Sequence, residues 1–287
     1  MKVLLLSVNC EKMPSPVFPL GLAYIVRALR EAGHSVQTLD LCFSQDVLRD
    51  LERVCVEFRP DVIGFSLRNL DNLTYPNSVS YLEGVEEVVR LCRRLSRAKL
   101  VMGGSGFSLA PRELVQFFDI DFGIVGEGEE AFVQLLESLE RNLATSPLPH
   151  LLIKGSLFPP FVEGARVASI SAPDRALFHT HRYLEEGGML NLQTKRGCPF
   201  SCIYCTYPVL EGKCVRLRGI EEVVGEVFSL VHEQGIDYLY FVDDIFNYHP
   251  SFAEALCREM AKRRLDVKWS AFVNPGFITE DLLKWMK

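Results

Sequence analysis

A doubly wound parallel α/β sheet followed by a partial (βα) barrel is the fold this sequence predicts, and three observations predict it. Strand-like and helix-like segments alternate five times between residues 2 and 141. The alternation breaks in a proline-rich stretch and resumes near residue 188 for three further units. A tight cysteine triplet then follows directly on the first strand of the second part, at the strand end where barrel folds place their chemistry.

The elements follow in order. "KVLLLSV" (2–8) is a short apolar run that meets Asn9, Glu11 and Lys12 with no small-residue cleavage pattern, so it reads as a buried strand and not as a signal peptide. Residues 19–33 carry apolar side chains at helical spacing and end at Gly33. A strand at 34–41, a helix near 45–58, the strand 61–66 and a long helix near 78–96 continue the rhythm. The strand 98–104, a short helix near 110–118, the strand 121–125 and a helix from Glu127 to about Arg141 complete five βα units. From Thr145 to about residue 187, "TSPLPH", "FPPF" and "SAPDR" cluster prolines without a sustained period, which predicts a surface linker. Beyond it come the strand 189–197, a helix near 220–234, the strand 237–244, a helix near 250–264, the strand 267–275 and a helix from Thr279, in which the sequence ends at Lys287.

Composition is globular, with 48% hydrophobic and 24% charged residues among 287. A net charge of -6 and a pI near 5.6 argue against a general nucleic-acid or anionic-membrane surface. No apolar run approaches the roughly 18 residues of a membrane span. A cytoplasmic location is expected, with cysteines as reduced thiols or metal ligands. Cys10, Cys42, Cys55, Cys92 and Cys257 read as buried free thiols, and Cys214 as a bystander.

Cys198, Cys202 and Cys205 stand apart, three thiols within eight residues in "GCPFSCIYC". Structural zinc is the competing explanation, but no second cysteine pair or paired histidines follow to close a tetrahedron. Three thiolates without a fourth suit an iron–sulfur cube with one iron left open.

"TKRGCPFSCIYCTYP" resembles the cluster-binding loop of the radical S-adenosylmethionine (SAM) enzymes, a resemblance that covers the chain from about Gly188 onward. It implies that Cys198, Cys202 and Cys205 bind a [4Fe–4S] cluster whose open iron is chelated by SAM, and that Tyr204 packs near the adenine. Reduction would cleave SAM to methionine and a 5′-deoxyadenosyl radical. Asp243 and Asp244 replace the family's Gly-Gly-Glu stretch at the next strand end, and a carboxylate there can accept hydrogen bonds from the SAM ammonium. Arg216 and Arg218 resemble the segment before the first barrel helix, with a solvated face as the equal alternative.

The first part has no G-x-G-x-x-G after its first strand, so a dinucleotide site is not indicated. Glycines follow the fourth and fifth strands instead, where they could admit a flat ligand or its tail, or simply make turns. "FPLGLAYI", "RPDVIGFSLRN", "VMGGSGFS" and "IVGEGEEAF" together resemble the cobalamin (B12)-binding domain that precedes the radical SAM barrel in one large class. The resemblance places Ser66 and Leu67 near the corrin, Arg68 and Asn69 on the lower side of the metal, and Gly103, Gly104 and Ser105 along the nucleotide-tail channel. Gly126, Glu127 and Gly128 complete the candidate contacts. The D-x-H-x-x-G motif is absent, which implies cobalamin with no protein histidine below cobalt. Gly104→Leu is expected to fill the channel and block the ligand selectively.

The resemblance therefore implies an N-terminal Rossmann-like cobalamin domain (1–144), a linker (145–187) and a truncated partial radical SAM barrel (188–287). The expected activity is cobalamin-dependent methylation of an unactivated carbon in a small-molecule, lipid or peptide substrate, supplied with electrons by a flavodoxin or ferredoxin. A radical rearrangement or cyclisation is the alternative chemistry. Three βα units fall short of a barrel of about 250 residues, so a non-catalytic cofactor-binding module is the alternative of a different class.

Overall fold

The apolar run at the N-terminus forms β1 (Lys2–Ser7), buried from Val3 onward because side chains on both of its faces are covered. The computed structural model describes residues 1–142, 148, 150–156 and 166–287. The chain divides into two compact units: Met1–Lys12 with Gly21–Val167 and Pro173–Phe178, and Met13–Leu20 with Ala168–Ala172 and His179–Lys287.

In the first unit β1 is followed by α1 (Leu20–Glu31), β2 (Ser35–Asp40), α2 (Val47–Phe58), β3 (Val62–Ser66), α3 (Leu82–Leu95), β4 (Lys99–Gly103), α4 (Ser105–Leu109), α5 (Pro111–Phe117), β5 (Phe122–Ile124) and α6 (Glu129–Glu140). Local chemistry sets the boundaries: Asp46 accepts from the Arg49 N–H to cap α2, and Arg59 at φ 51° ends it in the left-handed region. Among the described residues the sheet order is β2-β1-β3-β4-β5-β6, where β6 is Leu151–Ile153. The first five strands are parallel, with Leu4 opposite Ile63 and Leu6 opposite Phe65. Leu4, Leu6, Ile63, Phe65, Leu100 and Met102 share one core with Leu51, Val54, Val85 and Val89 of α2 and α3. The other face carries Leu5 and Gly64, over which Phe132 of α6 lies. Chain direction across the sheet reverses between β1 and β3, and the crevice outside a parallel sheet at such a switch is where ligands bind.

Several expectations need correction. Helix α3 starts at Leu82 and not near 78, because Asn72 and Asp71 organise the preceding residues into a turn: the Asn72 side chain accepts from Val79 N–H at 2.9 Å. The five-residue α4 was not anticipated, being too short to show a period. The predicted linker contains β6, which pairs antiparallel with β5. Its later part is strapped to the first unit: Val167 N–H donates to Glu127 at 2.7 Å, Asp174 pairs with Arg30 at 2.7 Å, and Thr38 donates to the Leu177 carbonyl at 2.6 Å. "FPPF", most of "TSPLPH" and the predicted boundary at 144 lie outside the described residues. Cys10 is exposed, unlike Cys42, Cys55, Cys92 and Cys257. Among the described residues no helix is long and apolar enough to cross a membrane.

The second unit contains α7 (Thr180–Glu185), β7 (Leu190–Leu192), β8 (Lys195–Arg196), α8 (Tyr207–Leu210), β9 (Arg216–Leu217), α9 (Ile220–Phe228), β10 (Tyr238–Phe241), α10 (Pro250–Lys262), β11 (Lys268–Ala271) and α11 (Glu280–Met286). Among the described residues β7, β10 and β11 form a parallel sheet with β10 in the middle. Leu190, Leu192, Leu239 and Phe241 are fully buried, as are Val223, Val224 and Val227 of α9 and Leu256 of α10. The single strand expected at 189–197 is broken at Gln193–Thr194. The carboxylate of Asp243 takes the Thr194 and Lys195 N–H groups that would otherwise join a ladder. Lys195 and Arg196 pair instead with Leu217 and Arg216, antiparallel, a short hairpin closure not visible in the sequence pattern.

Candidate functional site

The cysteine loop is launched by one residue. Gly197 has φ +92°, and a Cβ there would lie 2.2 Å from the Cys214 carbonyl oxygen, so only glycine makes this turn. Cys198 N–H then bonds to the Gly212 carbonyl at 3.0 Å, and Cys205 N–H to the Cys202 carbonyl at 3.1 Å. Cys198 is buried, Cys205 half-buried and Cys202 exposed. Burial raises the Cys198 thiol pKa first, and the charges of Asp244, Cys205 and Cys202 raise it further. The three sulfurs therefore share one electrostatic neighbourhood with Asp244. Among the described residues no three His, Cys, Asp or Glu side chains converge as a single-ion site. Three thiols from one loop, with no fourth cysteine or histidine beside them in the sequence, are a donor set that fits a cube with one open iron better than a closed zinc tetrahedron. Tyr204 stands at 87% exposure beside Ile203 at 104%, an aromatic offered outward from the loop.

The two aspartates separate into different roles. Asp243 is 1% exposed and accepts from Thr194 N–H at 2.7 Å, Thr194 Oγ1 at 2.5 Å and Lys195 N–H at 3.2 Å. It ties β10's end to the β7–β8 break, and those oxygens are already used. Asp244 differs: both of its carboxylate oxygens are buried, and neither has a hydrogen-bond partner among the described residues. Burial, the Glu211 carboxylate and Asp243 push its pKa up to about 8. A buried acceptor pair left unpaired costs about 1–3 kcal/mol and invites a donor from outside the chain. The expectation that both aspartates meet the ligand is thus narrowed to Asp244.

Glu211, which sequence reasoning passed over, accepts from Gln193 Nε2 at 3.1 Å and from Gly197 N–H at 3.0 Å. In "LEGK" it reads as an ordinary surface turn, and no spacing signal singles it out. Arg218 is no solvated-face residue: its buried guanidinium pairs with Glu226 at 2.7 Å and donates to the Gln193 carbonyl at 2.8 Å. Arg216 donates to the Glu211 carbonyl at 2.9 Å. Arg216 braces the loop, and Arg218 braces the β7–β8 break.

In the first unit the predicted residues fall into two groups. Leu67, Arg68 and Asn69 line a cleft of about 860 Å³ outside the ends of β1 and β3, together with Val8, Asn9, Cys10 and Glu11 and the facing sides of α2 and α3. Its wall is apolar, its rim polar, and none of its lining residues is a histidine. Ser66 ends β3 directly before this group.

Gly103, Gly104, Ser105, Gly126, Glu127 and Gly128 lie outside that cleft and make packing contacts. Gly104 has φ +104°, and a Cβ would meet the Leu67 carbonyl at 2.6 Å. A Cβ on Gly103 would lie 3.4 Å from the Ile124 carbonyl oxygen. Ser105 Oγ donates to the Arg68 carbonyl at 3.0 Å. Ser108, also unforeseen, donates to the Gly104 carbonyl at 2.9 Å and accepts from Gly126 N–H at 3.0 Å. Glu127 is committed to Val167, and a Cβ on Gly128 would lie 3.0 Å from Ile25. The selective block expected of Gly104→Leu is therefore corrected, since any side chain at 104 strikes protein backbone before it meets a ligand. Gly104→Ala should already destabilise the first unit by about 2–4 kcal/mol in urea unfolding. Unchanged stability with lost corrinoid binding would restore the channel role.

Comparison with known proteins places this geometry. Residues 6–136 match the B12 binding domain family. The chain is 28% identical to the tryptophan 2-C-methyltransferase of Streptomyces laurentii over 90% of its own length and 52% of that protein. It is 28% identical to the hopanoid C-3 methylase of Methylococcus capsulatus, over 86% and 47% respectively. Among solved structures it is similar to the radical S-adenosylmethionine methyltransferase TsrM from Kitasatospora setae, determined with cobalamin and a [4Fe–4S] cluster bound. The TM-score is 0.87 at 26% identity, over 99% of this chain and 56% of that one. The chain spans about half the length of the curated relatives it matches.

Proposed function

We infer that this chain, which belongs to the radical SAM proteins that carry a B12-binding domain, is the cofactor-holding part of a cobalamin-dependent methyltransferase acting on an unactivated carbon. The observation that carries the reading is the buried, unpartnered Asp244 carboxylate beside the cysteine loop. When bound, the cluster would supply the electron that cleaves SAM, and cobalamin the methyl group. Cys198, Cys202 and Cys205 would hold the cluster irons. Asp244 would accept hydrogen bonds from the SAM amino group, with Glu211 adding negative potential behind it. Tyr204, outward on the loop, would cover the adenine. Leu67, Arg68 and Asn69 would meet the corrin edge from the switch-point cleft, without a histidine below cobalt. The substrate would be a small molecule, a lipid or a peptide, and a flavodoxin- or ferredoxin-type donor would supply electrons.

The test is anaerobic reconstitution with iron, sulfide and hydroxocobalamin, followed by assays for 5′-deoxyadenosine and S-adenosylhomocysteine under a strong reductant. Binding of corrinoid and cluster with cleavage of SAM supports the reading. A chain that takes up neither cofactor overturns it. The electron paramagnetic resonance spectrum of the bound cob(II)alamin should lack coupling from a histidine nitrogen; histidine coupling that vanishes on replacing one of the six histidines would refute the histidine-free mode.

A further inference from the structure

We propose that Lys195 is the positioning residue that fixes Asp244 against the cysteine loop, holding the 245–248 turn through its own ammonium donors; this rests on Asp244 receiving SAM. Lys195 stands in the two-residue β8, three positions before Cys198, with its side chain 3% exposed. Its Nζ donates to the carbonyls of Ile245 at 3.4 Å, Phe246 at 2.5 Å and Tyr248 at 2.7 Å. The rings of Phe246 and Phe252 lie 5.6 and 5.2 Å from the same nitrogen, and the Asp243 carboxylate is 3.8 Å away.

A lysine buried this deeply is costly unless its charge and all three donors are used, and an apolar residue would fill a strand position at lower cost. Here all three donors go to one turn. The Ile245 carbonyl also accepts from Tyr248 N–H at 3.3 Å, whereas the Phe246 and Tyr248 carbonyls take the ammonium as their donor. The far end of the same turn is held separately: Asn247 Nδ2 donates to the Asn274 carbonyl at 2.9 Å, and Asn274 N–H to Asn247 Oδ1 at 2.8 Å.

The consequence concerns Asp244. On one side of it Asp243 is tied to the Thr194 and Lys195 N–H groups, and on the other the Ile245 carbonyl is tied to the Lys195 ammonium. Both neighbours of Asp244 are thus anchored to the same dipeptide, and only Arg196 and Gly197 separate that dipeptide from Cys198. Asp244 has no hydrogen bond of its own to hold it, so its place relative to the cysteines is set by Lys195 and Asp243. Displacing a binding group by about 1 Å can cost on the order of 100-fold.

The experiment compares the wild type with Lys195→Met and with the double variant Lys195→Met/Asp243→Asn, which removes the clamp without stranding a buried charge. Leu256→Ala, in the fully buried part of α10, serves as a control of reduced stability. Amide exchange read by mass spectrometry on the cofactor-free chain should accelerate in 245–248 by at least about tenfold in the clamp variants, and not in the control. SAM affinity of the reconstituted chain should fall by about 10- to 100-fold, with corrinoid affinity unchanged. Unaltered exchange in the turn overturns the proposal, and so does SAM affinity that falls no further than in a control of matched melting temperature. If the wild type itself binds no SAM, the SAM reading fails, and the exchange arm still decides whether Lys195 holds the turn.

Discussion

Replacing Cys198, Cys202 and Cys205 together by alanine should remove all of the roughly four irons per chain that a [4Fe–4S] cluster brings, and leave corrinoid binding by the first unit intact. The loop itself should survive the change. Its shape comes from Gly197, from the Cys198 N–H bond to Gly212 and from the bracing by Glu211 and Arg216, all of which use backbone or other side chains. Cys202 is exposed and Cys205 half-buried, so truncating them loses little packing; only Cys198 leaves a small buried gap, worth about 1 kcal/mol. Thermal unfolding should accordingly move by a few degrees at most while iron, sulfide and SAM cleavage disappear together. The single variants should retain partial cluster, because each sulfur ligates one iron. Iron content that persists in the triple variant, or zinc at one per chain in the wild type, would place the metal elsewhere or change its identity.

Much of this was legible in the sequence, for reasons that particular residues make plain. The βα alternation of the first unit follows from apolar runs such as "KVLLLSV" and from caps such as Asp46, and these are local signals that tertiary context did not override. The cysteine triplet was equally visible because three thiols within eight residues stand out by spacing alone. What escaped was whatever depends on meeting a distant residue. The strand expected at 189–197 breaks because Asp243, some fifty positions away, captures the Thr194 and Lys195 N–H groups. The close approach of Gly104 to the Leu67 carbonyl is equally invisible in the sequence. Glu211 and Ser108 carry no periodic or motif signal at all, and their roles exist through contacts the fold creates, among them the Gly197 and Gly126 N–H groups they accept from.

Asp244→Asn should weaken SAM binding by about 30- to 5000-fold, the range for removing one partner of a buried charged hydrogen-bonded contact, and it should stabilise the ligand-free chain. The two effects share a cause. With its pKa raised from the ordinary 3.8 to about 8, chiefly by burial and then by Glu211 and Asp243, Asp244 carries a proton in the empty folded chain at neutral pH. Between those two values the folded state holds a proton that the unfolded state has released, so stability falls as pH rises from about 4 and levels off above about 8. Asparagine cannot lose that proton, and its variant should lack the decline and be the more stable of the two at pH 8. Binding runs with the opposite sign. The ionised carboxylate is the form that accepts N–H donors from a cationic ligand, so wild-type affinity for SAM should climb as pH approaches 8, and the climb should vanish in Asp244→Asn. Urea unfolding of the cofactor-free chain from pH 5 to 9 reads the first slope, and equilibrium binding of SAM to the reconstituted chain reads the second. A variant that loses SAM affinity without flattening either slope would mean that Asp244 acts through shape alone; one that binds SAM as tightly as the wild type at every pH would remove Asp244 from the site.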